Sequence, residues 1–438
     1  MKKAMVFGAG LSGQGAIDLL KKSNYDIILV DDNSGISSKK AIDFLDDVNL
    51  FVKSPGISYN SLVLAAKDKN IPILNEIQLA YDYMKVNNYS TKIIAITGTN
   101  GKTTVTTKIT ELLTYAGFRA KFAGNIGVSL GALILEDKNL DYIVLELSSF
   151  QLENLTDFKA DIALIVNLTP DHLERYSSLD EYYLTKFNIC KNQDKNDIFI
   201  LNKNSKEIEN IVRKYSLQLN SQIFTVSKFS DNSNISVSND FIRYNDEDVL
   251  SCKKVTLKGE HNLENILFIV AVAKLLDLSD ENIQDFLYTT DNIEHRMENF
   301  YQYKNITFVN DSKGTNIDSS KYAIEAFKNC ILICGGHDKK SDWNVLADII
   351  TKNNLKEVYL IGEISDLLKK FLLKNDFPAE KIHSLENIEK SLLYIKSHIN
   401  PYEEQVVLLS PATSSYDQFK NFVERGNIFK DLVKKIFI

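Results

Sequence analysis

Residues 95–104 read Ala-Ile-Thr-Gly-Thr-Asn-Gly-Lys-Thr-Thr, and their types and spacing suit the holding of a phosphate chain. Ile93 to Ile96 is a short apolar run of the kind a buried strand uses. Gly98, Asn100 and Gly101 permit a tight turn, and from there Val105, Ile109, Leu112 and Leu113 recur at helical spacing. A strand, a glycine turn and a helix N-terminus together present free backbone N–H groups and the positive end of a helix dipole, which favour an anion. Thr99 and Asn100 lie in the turn, Lys102 can reach the outer phosphates, the Thr103 hydroxyl can ligate magnesium, and Thr104 continues the first helical turn. The usual loop carries four residues between its glycines, whereas Gly98 and Gly101 are separated by two. A solvated lysine on a glycine turn is the plainer alternative, and the adjoining Lys-Thr-Thr argues against it.

Further groups with chemical potential follow predicted strands. Glu146 ends the apolar run Tyr142–Leu145 and precedes Leu-Ser-Ser-Phe-Gln-Leu-Glu. A carboxylate beyond the carboxyl end of a parallel strand, near a phosphate loop, is placed to hold Mg²⁺, although a helix-capping acid would look the same. Asp171-His172 follows the next strand, Ile162–Val166, and His172 is either a ligand or a structural histidine. Lys186, on a helix expected over Leu179–Asn192, is flanked by Leu184, Phe187 and Ile189. A buried lysine loses its charge readily and becomes a reactive amine, whereas a snorkelling one does neither. Asn262 and Asn265 stand about one turn apart at the start of an apolar helix, so both can face one ligand, and capping explains only one of them. His295-Arg296 and Asn310-Asp-Ser-Lys-Gly-Thr-Asn316 bring both charges to a strand end. Ser410 to Phe422, with Arg425-Gly426 beyond, offers hydroxyls and helix N–H groups for a carboxylate.

The elements that must position these groups alternate. Residues 4–7 read as a strand, Gly8-Ala-Gly10-Leu-Ser-Gly13 as a turn into a helix ending near Lys22, and Ile27–Val30 as a second strand ending at Asp31. This is a dinucleotide-type βαβ pattern. Lys85 to Thr91 is polar and reads as a linker. Strands are expected at 197–201 and 222–226, edge hairpins over 227–256, an apolar helix over Leu263–Leu276, a boundary near Asp291-Asn292, and strands again at 306–309, 331–334, 358–361 and 406–409. Strand–helix alternation argues for parallel sheets. The 438 residues allow roughly three domains of ordinary size, and 44% hydrophobic with 25% charged residues suits packed cores. A net charge of −7 without a long basic run offers nothing to nucleic acid or to an anionic membrane. Cys190, Cys252, Cys330 and Cys334 show no metal-ligand spacing and read as free thiols of a reducing compartment. With no signal-peptide pattern and no transmembrane stretch, a cytoplasmic location is expected.

On the motifs Gly98-Thr-Asn-Gly-Lys-Thr103, Leu145-Glu-Leu-Ser-Ser-Phe-Gln-Leu-Glu153, Asn310–Asn316 and Leu409–Phe422, the chain resembles the Mur ligase family over its whole length, and its D-glutamate-adding branch most. The resemblance implies an α/β protein of three domains: a Rossmann-like UDP-binding domain over 1–90, a central P-loop ATPase-type domain over 91–292 and a Rossmann-like amino-acid-binding domain over 293–438. It implies a monomer whose small-molecule substrates are ATP, UDP-N-acetylmuramoyl-L-alanine and D-glutamate. It turns the Gly8 loop into a uridine-diphosphate site, so NAD is not expected. Leu11, Ser12, Gly13, Asp31, Gly56 and Asn125 are then the UDP-substrate contacts. Gly98 to Thr104, Asn262, Asn265, Arg296 and Asp311 resemble ATP contacts. Thr103, Glu146, His172 and a carbamylated Lys186 match the Mg²⁺ site, so that Lys102, Glu146, His172 and Lys186 carry the catalysis. Lys313, Thr315, Lys339, Ser415 and Phe422 resemble the D-glutamate site. Lys340 beside Lys339, and Ser414 beside Ser415, are alternatives in the same runs.

Overall fold

A computed structural model describes residues 2–438 apart from 174, 230–231, 258 and 291–293. Among the described residues the strands form three sheets. The first holds β1 (Lys3–Phe7), β2 (Asp26–Val30), β3 (Leu50–Lys53) and β4 (Ile73–Leu74) in the order β2-β1-β3-β4, all parallel. Its strands are apolar on both faces, because Met5, Phe7 and Phe51 pack into one core and Ala4, Val6 and Val52 into the other. A sheet covered on both sides requires this near-continuous hydrophobicity.

The second sheet contains β5 (Lys92–Thr97), β6 (Ala120–Gly124), β7 (Tyr142–Glu146), β8 (Ile162–Ile165), β9 (Ile198–Asn202), β10 (Gln222–Val226), β11 (Ile235–Ser238), β12 (Phe241–Tyr244) and β13 (Glu247–Ser251). The order is β13-β12-β11-β10-β9-β8-β5-β7-β6, so β5, which leads into the phosphate loop, lies between β8 and β7. The antiparallel hairpins expected over 227–256 are β11 to β13 at the sheet edge. The third sheet holds β14 (Glu298–Tyr303), β15 (Ile306–Asn310), β16 (Ile331–Gly335), β17 (Glu357–Ile361), β18 (Ile382–Ser384) and β19 (Gln405–Leu409) in the order β14-β15-β19-β16-β17-β18. Only β14 runs antiparallel in it, and neither β14 nor β18 was legible as an apolar run.

Two elements differ from expectation for identifiable reasons. The helix Glu76–Val86 continues through Lys85 and Val86, and the polar stretch after it is tied down rather than loose. Tyr89 donates its N–H to the Met84 carbonyl and its hydroxyl to Ile134 O at 2.7 Å, and Lys85 pairs with Asp157 at 2.6 Å. The helix Leu179–Phe187 stops short of Asn192 because Ile189 and Cys190 bond to carbonyls three residues back, which tightens the chain into 3₁₀-like turns.

Contacts gather the chain into two compact units. One comprises Met1–Leu168, Ser178–Val255 and Asn262–Thr289, and therefore holds the first two sheets. The other comprises Thr169–Ser177, Thr256–His261 and Thr290–Ile438, and holds the third. Within the first unit, Glu76 accepts from Gly131 N at 2.5 Å, Gln78 accepts from the N–H groups of Thr156 and Phe158, and Asn75 bonds to the Gln151 carbonyl. The expected boundary at Asp291-Asn292 lies outside the described residues. All four cysteines are free, and no described helix is long and apolar enough to cross a membrane.

Candidate functional site

In the first unit, the chain leaves β5 into a turn that only glycine tolerates at two points. Gly98 has φ +146° with Val166 and the Asn167 backbone against it, and Gly101, at φ +82°, caps the helix Lys102–Tyr115. A Cβ on Gly101 would stand 2.3 Å from Asn265 Oδ1, so this glycine is also what lets Asn265 close on the loop. Asn167, at the end of the neighbouring β8, clips the turn: its Oδ1 accepts from Asn100 N at 2.9 Å and its Nδ2 donates to Asn100 O at 3.2 Å. Its carbonyl accepts from Thr99 N at 3.0 Å. The short spacing between the glycines thus still yields a strand, a fixed turn and a helix start.

Two lysines converge on this turn. Lys102 Nζ donates to Gly98 O at 3.0 Å and to Thr99 O at 2.7 Å. Lys186 is buried, donates to the same Gly98 carbonyl at 2.9 Å, and lies 4.5 Å from the centre of the Tyr182 ring. The apolar flanks of Lys186 therefore signalled burial, not snorkelling. Sharing one acceptor, the two side-chain nitrogens are brought onto the same carbonyl, at 3.0 and 2.9 Å.

Glu146 ends β7 opposite Ile96 of β5. Its side chain is 1% exposed; Oε1 accepts from Asn125 Nδ2 at 2.8 Å, and Oε2 is buried with no hydrogen-bond partner among the described residues. A bare buried carboxylate oxygen is costly unless a cation or donor completes it, so the residue fits a magnesium ligand better than a helix cap. Asn262 and Asn265 are both buried, and Asn265 Nδ2 donates to Asn262 Oδ1 at 3.2 Å, which places the pair on one side of their helix as its spacing predicts. Thr103 and Thr104 occupy the first turn of the phosphate-loop helix.

A second glycine-rich loop of this unit follows the carboxyl end of β1. Gly13 packs so closely that a Cβ would lie 1.8 Å from Gly8 O. Asp31, at the end of β2, accepts from Ala9 N at 3.0 Å and from Asn33 and Ser34, and these hydrogen bonds, Ala9 first, hold its carboxyl below the usual range. Leu11 is exposed and Ser12 half-buried at the helix start, and Gly56 is exposed in the loop after β3. Asn125 follows β6 and is bonded to Glu146.

In the second unit, His172 takes a left-handed backbone, φ +54°, beside Asp171. Asp171 pairs with Lys339 at 2.6 Å, accepts from Asn316 Nδ2 at 3.3 Å and lies 3.7 Å from His172 Nε2. Burial pushes the Asp171 carboxyl up, but the Lys339 and His172 charges overcome it and hold it down at about 2. Lys339 also reaches Thr315 O at 3.4 Å, while Lys340 is exposed. Ser415 is likewise buried where Ser414 is half-buried. Lys313 Nζ lies 5.2 Å from the centre of the Phe422 ring. Arg296 approaches Asp311 at 3.9 Å; burial raises the Asp311 carboxyl to about 6 against the pull of Arg296 and a 2.7 Å hydrogen bond from Ser410. Asn167, Asp171 and Arg425 were given no site role by sequence reasoning. The first two were signalled only by standing at strand ends, and Arg425 by following the Asp-Gln-Phe-Lys-Asn-Phe run.

Residues 96–273 match the family model described as Mur ligase middle domain. The chain is 51% identical over 437 residues to the UDP-N-acetylmuramoylalanine--D-glutamate ligase of Fusobacterium nucleatum subsp. nucleatum, covering 100% of both chains. Among solved structures, it resembles the UDP-N-acetylmuramate-alanine ligase MurC of Thermotoga maritima, with a TM-score of 0.62, 18% identity and 99% of each chain covered. It also resembles the MurF ligase of Thermotoga maritima in complex with ADP, with a TM-score of 0.60, 16% identity and coverage of 90% of this chain and 92% of that one. At such identities these structures establish the fold alone.

Proposed function

The chain belongs to the Mur ligase family, and on that premise we propose that it is an ATP-dependent amide ligase. It adds D-glutamate to UDP-N-acetylmuramoyl-L-alanine in peptidoglycan precursor synthesis and releases ADP and phosphate. The observation that carries the reading is the convergence of Lys102, Lys186 and Asn265 on one phosphate loop, one strand away from a buried, half-satisfied Glu146. In this reading the chain divides into the three functional parts 1–90, 91–292 and 293–438, and acts in the cytoplasm as a monomer.

A carboxylate is a poor acylating agent because its leaving group would be oxide. The substrate carboxylate therefore attacks the γ-phosphate of ATP and becomes an acyl phosphate. The amine of D-glutamate attacks that carbonyl, and phosphate leaves. The protein's work is positioning and charge neutralisation. Backbone N–H groups at the helix start, from Gly101 to Thr104, hold the phosphates, while Gly98, Thr99 and Asn100 shape the turn, with Lys102 turning from the loop carbonyls toward the γ-phosphate as charge moves there. Asn262, Asn265, Arg296 and Asp311 hold the nucleotide. Leu11, Ser12, Gly13, Asp31, Gly56 and Asn125 hold the uridine substrate, whose diphosphate meets the helix start after Gly10. Lys313, Thr315, Lys339, Ser415 and Phe422 orient D-glutamate. Thr103, Glu146, His172 and Lys186 would hold Mg²⁺, which when bound supplies charge neutralisation of the transferring phosphoryl group. A carbamate on Lys186 would add an anion to that set.

The test is phosphate release by the purified protein with ATP, UDP-N-acetylmuramoyl-L-alanine and each amino acid in turn. Turnover with D-glutamate and not with L-glutamate is expected. Turnover with a different amino acid, or with a folate acceptor, would replace this reading by another ligase of the same fold.

A further inference from the structure

Arg425 is 1% exposed and sits in the first turn of the helix Phe422–Ile436. Its guanidinium makes a fork across the carboxyl ends of two neighbouring strands. Beyond β15, Nε donates to Ser312 Oγ at 3.0 Å and Nη2 to Ser312 O at 2.8 Å. Beyond β19, Nη1 and Nη2 both donate to Thr413 O at 3.1 Å. Ser312 Oγ in turn donates to the Phe422 carbonyl at 2.8 Å, which closes a ring back onto the helix that carries Arg425. Every one of these acceptors is neutral. Among the described residues no carboxylate lies within ion-pair distance of Arg425, and Asp417 and Asp311 act on it only from farther away.

A buried cation is costly, and structure alone could be served by neutral donors. What the arrangement achieves is to fix three chain segments with one planar group and keep a positive charge beneath them. Lys313 adjoins Ser312, Ser415 lies two residues after Thr413, and Phe422 accepts the bond from Ser312. We propose that Arg425 is the positioning and specificity-determining residue of the amino-acid site, aligning the Lys313, Ser415 and Phe422 segments and supplying a positive charge, held by neutral acceptors, that favours a dicarboxylate over its amide. This inference rests on the D-glutamate assignment above. Arg425 does not touch the substrate in this account; it acts through the loops and through its field.

The experiment is steady-state phosphate release by the full chain with D-glutamate and with D-glutamine, for wild type, Arg425→Gln, Arg425→Lys and Ser312→Ala. Wild-type turnover with D-glutamate tests the ligase reading itself; only the ratios among variants test Arg425. For Arg425→Gln the KM for D-glutamate is expected to rise about tenfold or more, with the KM for ATP unchanged within about twofold and the preference for D-glutamate over D-glutamine reduced by a similar factor. Arg425→Lys, which keeps charge without the fork, should retain that preference and lose mainly kcat. If thermal melting shows Arg425→Gln unfolded, Arg425→Lys and Ser312→Ala decide: an intact preference with a fewfold loss of kcat/KM for D-glutamate is expected. Equal rises in the KM of ATP and D-glutamate, or a preference lost in Arg425→Lys and Ser312→Ala, would overturn the proposal and leave Arg425 a purely structural residue.

Discussion

The phosphate loop and the C-terminal loop cluster build polar sites in opposite ways. The first is local: seven consecutive residues, Gly98 to Thr104, make a turn and a helix start from backbone geometry, and distant groups such as Asn167, Lys186 and Asn265 are added to it. The second is assembled: segments near residues 171, 296, 313, 339, 413 and 425 are held by side chains, chiefly the Asp171–Lys339 pair and the Arg425 fork. A site made of backbone withstands loss of a side chain as a structure and loses only its chemistry. A site made of side-chain ties loses shape and chemistry together.

That contrast can be broken most directly at Lys102. Lys102→Ala should lower ATP turnover by at least about a hundredfold and leave the melting temperature nearly unchanged, because the loop's turn is set by glycines and Asn167. A fall in stability matching the fall in activity would mean that the two sites are built alike. Next in size is Lys186→Ala, expected to cost roughly ten- to a hundredfold in activity. A short carboxylic acid such as acetate should restore part of it and bicarbonate none, since the amine is gone. Full activity of this variant in CO₂-free buffer would remove the carbamate.

In the assembled site the loss should be structural. Asp171→Asn leaves Lys339, 10% exposed, without its counter-charge and is expected to cost about 3 to 5 kcal/mol at pH 7 in denaturant unfolding. The folded carboxyl lies at about 2, below its ordinary 3.8, so its contribution is present above pH 3.8 and lost as pH falls toward 2. The gap between wild type and variant should therefore narrow in acid by about 2 kcal/mol. A gap unchanged at pH 2 would point to packing instead of charge. The smallest effect is the opposite case in the first unit. Glu76 is fully buried, accepts one bond from Gly131 and has an Oε2 atom with no partner among the described residues, and burial raises its carboxyl to about 7. A raised acid stabilises below pH 4.5 and loses that contribution as pH rises through 7. Glu76→Gln should thus flatten the decline in stability between pH 5 and 8 by about 2 to 3 kcal/mol. An unchanged slope would assign that decline to other groups.

The amino-acid sequence by itself determined the parallel α/β architecture, the phosphate loop and its helix, the edge hairpins after residue 226 and the family. All of these follow from short-range patterns: apolar runs of strand length, glycines where φ turns positive, and residues one helical turn apart. It also brought forward Glu146, Lys186 and the Asn262–Asn265 pair, because each stands at a strand end or on an apolar face. Tertiary structure alone decided what those groups meet. Lys186 could be read as snorkelling until its amine was found on the Gly98 carbonyl, Asn125 bonds to Glu146, and Lys339 is distinguished from Lys340 by its contact with Asp171. β14 is half-exposed and lacks the apolar run that marks a buried strand, so only its pairing with β15 reveals it. Arg425 is marked in the sequence only by its place after the Asp-Gln-Phe-Lys-Asn-Phe run, and its role is hidden there, since its partners Ser312 and Thr413 belong to loops that become neighbours only when β15 and β19 pair. Hydrogen bonds and ion pairs between segments far apart in the chain depend on strand order and register, and a single sequence encodes those through the sum of its packing, not at any one position.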